Sequence, residues 1–206
     1  MTENGDAAGA GATPFPLIIL IGPPGSGKTT VGSLLAARLG VGFSDTDAVV
    51  EAMAGKPVSD IFITVGEPEF RRLEREAIAA ALADSEARRG QEPGTPITGV
   101  LGLGGGAVMD EQTQARLAGR AVVYLETSFS ELAKRVGLDR ARPLLIGTNP
   151  RAQLKSLLDQ RLPVYGRLAW RTVGTDGRDP EVIAAEIAAA VASGGLPGNG
   201  LAGEGR

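Results

Sequence analysis

The chain has 206 residues, 43% of them hydrophobic and 22% charged, enough for one domain with its own core. It contains no cysteine and no histidine, which excludes disulfides, thiolate metal sites and imidazole acid–base chemistry. A net charge of −3 offers no basic field for nucleic acid, and no apolar run approaches the roughly 18–20 residues that span a bilayer.

Residues 1–14 (MTENGDAAGAGATP) lack the character of targeting segments and are expected to form a disordered tail on a cytoplasmic protein. Residues 15–21 are a continuous apolar run, the pattern of a strand covered on both faces. Lys28 to Leu39 reads as a helix closed by Gly40, and residues 42–44 as a weak second strand. Pro68 stands near the start of a helix running to about Ala83, with Phe70, Leu73, Ala77 and Ile78 along one side. Residues 84–96 are polar and read as an exposed loop, and residues 96–103 and 121–125 as further strands. Ser128 and Glu131 have the spacing of a capping box that opens a helix. Residues 136–150 carry Gly and Pro breaks around several cations, as a mobile lid does. Asp179-Pro180 opens a last helix with Val182, Ile183, Ile187 and Val191 as its apolar stripe. Residues 193–206 are again Gly-rich and read as a second disordered tail, which leaves one domain over 15–192. Strands separated by helices predict a parallel sheet covered on both faces.

Gly22-Pro23-Pro24-Gly25-Ser26-Gly27-Lys28-Thr29 matches G-x-x-x-x-G-K-[ST] between an apolar strand and a helix. Such a loop turns its N–H groups inward as a phosphate cradle. The helix terminus behind it adds about half a positive charge. Lys28 is expected against the β- and γ-phosphates of a nucleotide, and Thr29 on Mg²⁺. The loop alone serves kinases, GTPases and ATPases alike.

Three further clusters narrow the chemistry. Asp45-Thr46-Asp47 follows the second strand, where two carboxylates at i and i+2 on a strand would point the same way, toward a metal and a substrate hydroxyl. Leu103-Gly104-Gly105-Gly106 ends the third strand and exposes backbone N–H groups where open α/β sheets hold ligands. Phe70-Arg71-Arg72-Leu73-Glu74 lies on a helix, with Arg142-Pro143-Leu144-Leu145 and Arg161-Leu162-Pro163-Val164-Tyr165 downstream.

Together with the phosphate loop, these segments resemble the shikimate kinase family over about residues 16–192. The resemblance implies a three-layer α/β/α fold with a central five-stranded parallel sheet, a P-loop NTPase of the nucleoside-monophosphate kinase type. It implies transfer of the γ-phosphoryl of ATP to shikimate, in the pathway to chorismate and the aromatic amino acids, with Mg²⁺ and in a monomer. Carried over by motif, Gly25, Ser26, Gly27, Lys28, Thr29 and Thr30 bind nucleotide, and Thr29 and Asp45 hold the metal. Asp47 grips the substrate hydroxyls, Arg71 and Arg161 clamp its carboxylate, and Gly104, Gly105 and Gly106 meet its ring. Arg142 closes onto the phosphates, and Arg135 and Arg178 line the adenine. With histidine absent, Asp47 is the candidate general base, or chiefly orients the attacked hydroxyl.

Plainer roles exist for several of these residues: Asp45 as a helix cap, Arg71 as a helix-surface partner of Glu74, Glu74 as orienter of Arg71 or as a substrate contact. Phe62 and Trp170 read first as packing residues, Phe62 also as a substrate-pocket aromatic. Alternative functions are another small-molecule kinase, such as gluconate kinase, or a regulator that holds ATP without transfer. A GTPase would need an N-K-x-D base reader, which the sequence lacks.

Overall fold

A computed structural model describes residues 17–88, 97–137, 149–193 and 196. Arg142, most of the segment read as a lid, and nearly all of both tails lie outside the described residues.

The first strand, β1 (Leu17–Ile21), is buried at every position. Leu17, Ile19 and Ile21 join one apolar cluster, and Ile18 and Leu20 the other. Alternating side chains thus feed two cores, which is why the run is apolar without a break. Four strands join it: β2 (Gly42–Asp45), β3 (Gly99–Gly102), β4 (Val122–Glu126) and β5 (Arg171–Gly174), in the order β2-β3-β1-β4-β5 and parallel throughout. Helix α1 (Lys28–Leu39) and the last helix, α8 (Pro180–Ala192), cover one face with Val31, Leu35, Ile183 and Ile187. Val182, expected in that stripe, is exposed.

Between β2 and β3 lie α2 (Thr46–Ala54), α3 (Val58–Thr64) and α4 (Glu67–Arg88), with a small third cluster around Val50, Ile61 and Phe70. Helix α4 runs to Arg88, so residues 84–88, expected in a loop, are its last turns. Leu82 and Ser85 keep its face buried, and the Ser85 hydroxyl meets that of Thr98 at 2.6 Å. A short α5 (Glu111–Leu117) precedes β4, and α6 (Phe129–Arg135) follows it. Half of the expected capping box is present: the Ser128 hydroxyl accepts from the Glu131 N–H, but the Ser128 N–H donates to Asp176 and not to Glu131. Helix α7 (Pro150–Leu168) then packs Val164 and Tyr165 into the first core. The architecture is the expected three-layer α/β/α with a five-stranded parallel sheet. The loops after β1 and β3, adjacent strands, meet at the carboxyl edge, where open sheets of this kind bind ligands. Among the described residues, no helix is long and apolar enough to cross a membrane.

Candidate active site

The loop between β1 and α1 takes its shape from three glycines with positive φ: Gly22 at 149°, Gly25 at 82° and Gly27 at 94°. A residue with a Cβ would be strained there, and at Gly22 it would also meet the Leu125 carbonyl at 2.8 Å. The Lys28 ammonium folds back over the loop and donates to the carbonyls of Gly22 at 2.9 Å and Pro23 at 3.0 Å. Burial lowers its pKa to about 8, against the opposing pull of Asp45 and Asp47.

Asp45 ends β2 and caps α2, accepting the N–H of Asp47 at 3.0 Å. Asp47 therefore stands in the first turn of a helix and not on the strand, so the i, i+2 geometry expected of the pair does not apply. A sharp strand-to-helix corner brings both acids to the phosphate loop instead. Asp45 Oδ2 accepts from the Thr29 hydroxyl at 2.9 Å. These are two hard oxygen donors side by side; no group of three or more acidic, His or Cys ligands exists among the described residues. That donor set fits Mg²⁺, which keeps waters and phosphate oxygens and takes only one or two protein ligands. Asp47 is solvent-exposed as a residue, while its carboxyl crowds against Gly104. Burial of the carboxyl, followed by the charge of Asp45, raises its pKa above the ordinary aspartate value.

On α4, Arg71 and Glu74 are one turn apart, so their side chains share a face. Arg71 Nη1 donates to Glu74 Oε2 at 2.6 Å, and Nη2 to Glu67 at 3.2 Å. Glu74 is only 2% exposed, and its Oε1 has no hydrogen-bond partner among the described residues. Burial raises its pKa, with Arg71 opposing. The i,i+3 pair with Glu74 that the plainer reading of Arg71 expected is present, with the arginine half-buried and held in place by a buried carboxylate.

The three glycines after β3 are fixed by these neighbours. A Cβ on Gly104 would lie 2.5 Å from Glu74 Oε1 and 2.7 Å from Asp47 Oδ1. On Gly106 it would strike the Arg71 guanidinium at 2.6 Å, and on Gly105 the ring of Pro24 at 2.7 Å. Asp47, Glu74, Arg71, the glycine loop and the phosphate loop therefore converge in one crevice. Arg161 of α7 joins them, close enough that its charge acts on Lys28 and Glu74.

A second cleft, of about 540 Å³, opens on the other side of the phosphate loop between Gly25, Thr30, Arg135, Arg178 and Pro180. Arg135 reaches from α6 to the carbonyls of Gly25 and Thr175, at 3.3 and 3.2 Å. Arg178 is held by the Gly174 carbonyl and by Glu186. Both arginines, expected to line the adenine, border this cleft, each guanidinium in part committed to protein. Phe62 stacks obliquely on Phe70, with centroids 4.7 Å apart, and Trp170 packs against the second core. Two residues had no assigned part: Thr46, whose buried hydroxyl accepts the Gly104 N–H at 2.9 Å, and Tyr165, whose hydroxyl donates to the Gly105 carbonyl. Thr46 lies between the two acids, and Tyr165 closes the R-x-P-x-Y segment, but neither position announces a long-range backbone contact.

The family model that matches is described as shikimate kinase and covers residues 24–192. Among curated relatives, the shikimate kinase of Salinispora arenicola is 57% identical over 178 residues, spanning 86% of this chain and 99% of the relative. That of Thermobifida fusca is 57% identical over 173 residues, 84% of this chain and 93% of its own. Among solved structures, a shikimate kinase from Acinetobacter baumannii in complex with shikimate superposes with a TM-score of 0.72 at 33% identity, covering 88% and 96% of the two chains.

Proposed function

The chain belongs to the shikimate kinase family, and from that premise we propose how its residues divide the work of phosphorylating shikimate. The reaction passes the γ-phosphoryl group of ATP to a ring hydroxyl and yields ADP and 3-phosphoshikimate. Family membership favours shikimate over gluconate as acceptor.

The phosphate-loop N–H groups and Lys28 hold the β- and γ-phosphates, and Arg135 and Arg178 flank the adenine in the second cleft. Asp47 takes the attacked hydroxyl and its proton, while Gly104 to Gly106 contact the ring. Arg71, aimed by Glu74, and Arg161 grip the substrate carboxylate with planar forks that suit it. Arg142 receives the phosphate-neutralising role on its motif alone. Thr29 and Asp45 would hold Mg²⁺, which when bound neutralises charge on the transferring group. In-line phosphoryl transfer needs positioning and charge neutralisation more than covalent help, and this constellation supplies both. On the family resemblance, the reading extends to a monomeric enzyme of the cytoplasm.

The observation that carries the reading is the convergence of Asp47, Arg71 and Arg161 on the glycine loop beside Lys28. Its test is Arg161→Ala. Loss of charge-assisted hydrogen bonds of about 1.5–3 kcal/mol raises KM for shikimate roughly 10- to 100-fold. KM for ATP is expected to stay within about twofold of the native value. Equal changes in both constants, or in neither, would refute the clamp.

A further inference from the structure

Tyr165 is fully buried in α7, one turn beyond Arg161, on the same helix face. A helical side chain leans toward the N-terminus, which directs the ring back toward Arg161. The hydroxyl donates to the Gly105 carbonyl, and Arg161 stands near enough for its charge to act on the phenol. A phenol carries one donor and acceptor lone pairs, so one oxygen can serve both partners. The ring is stacked on Tyr124, with centroids 5.1 Å apart and planes 19° from parallel. The Tyr124 hydroxyl is also buried but has no hydrogen-bond partner among the described residues. The two tyrosines therefore share a stack and differ in what their hydroxyls hold.

We propose that Tyr165 is a positioning residue for shikimate, whose hydroxyl sets the aim of Arg161 and the orientation of the Gly105–Gly106 peptide together. In a trans peptide the N–H points opposite to the carbonyl. Drawing the Gly105 carbonyl toward α7 therefore turns the Gly106 N–H away from that helix, and Arg71 packs against the Cα of Gly106. Thr46 anchors the other end of the loop through the Gly104 N–H. The glycines cannot hold this orientation themselves, because they lack the side chains that restrict a backbone. The proposal rests on the reading of Arg161 as a carboxylate clamp.

The test compares Tyr165→Phe with Tyr124→Phe, both of which keep the aromatic stack. Tyr165→Phe is expected to raise KM for shikimate roughly 3- to 20-fold, the range of one well-placed hydrogen bond. KM for ATP and kcat should stay within about twofold, and Tyr124→Phe should change neither KM. An unchanged KM for shikimate in Tyr165→Phe would overturn the proposal. So would a parallel rise for both substrates with a lowered melting temperature, since that marks a structural hydroxyl. Combined with Arg161→Lys, Tyr165→Phe should add less than its separate penalty; strictly multiplicative effects would overturn the coupling to Arg161. A null result in Tyr165→Phe alone leaves the clamp standing. An unchanged KM in Arg161→Ala removes the clamp and this proposal with it.

Discussion

Lys28→Met is expected to lower kcat by on the order of 10³-fold while the protein keeps its fold. Methionine matches the length and apolar stem of lysine, so the loop stays packed. The two hydrogen bonds to the Gly22 and Pro23 carbonyls and the positive charge are lost. Because the charge acts where negative charge is held and moved, its removal falls on the chemical step as well as on nucleotide binding. The lowered pKa adds a second readout. Below about pH 8 the ammonium is protonated in the free enzyme; above it, the charge that attracts phosphate is lost. Native affinity for ATP should therefore weaken as pH rises through about 8, and the variant should lack that dependence. Steady-state kinetics with a thermal melt check both points. A kcat within tenfold of native, or an unchanged pH profile of ATP affinity, would remove Lys28 from its assigned role.

Asp47→Asn is expected to reduce kcat by about 10²- to 10⁴-fold, the usual worth of a positioned proton acceptor. The amide keeps the shape of the side chain beside Gly104 but cannot take up the hydroxyl proton. Burial and the neighbouring Asp45 raise the Asp47 pKa, so the carboxylate needed for transfer is lost at a higher pH than an ordinary aspartate would show. The sign follows: native kcat/KM for shikimate falls as pH drops through that raised value, and the asparagine variant has no such limb. Positioning by Asp47 without proton uptake would leave the acid limb in place and a loss of less than tenfold.

Much of this arrangement was legible in the residues because its causes are local. Glycines with left-handed backbone bound α1 at both ends, so Gly27 and Gly40 mark its limits. The unbroken apolar run of β1 reports a strand with a core on each side. Arg71 and Glu74 pair at helical spacing, and the phosphate loop is defined by backbone requirements that only its glycines meet. Less local features left weaker marks. Strand β5 (RTVG) lies at the sheet edge with Val173 alone buried, too little for an apolar pattern. Helix α7 carries Pro163 in its interior, which removes a backbone donor and reads as a break. The acids of Asp45-Thr46-Asp47 were placed on a strand, although Asp45 is also a good N-cap and the chain turns into α2 there. Thr46 and Tyr165 act on glycines 58 and 60 residues away, and no short-range pattern encodes such a contact.

The most direct test of the account is a coupled ADP-release assay on the purified protein with ATP and Mg²⁺, offering shikimate beside quinate, gluconate and nucleoside monophosphates. Strong ADP release that depends on shikimate, with little from the other acceptors, is the predicted result. Turnover with gluconate or a nucleotide and none above background with shikimate would contradict the substrate assignment, while leaving the phosphate loop as a nucleotide site.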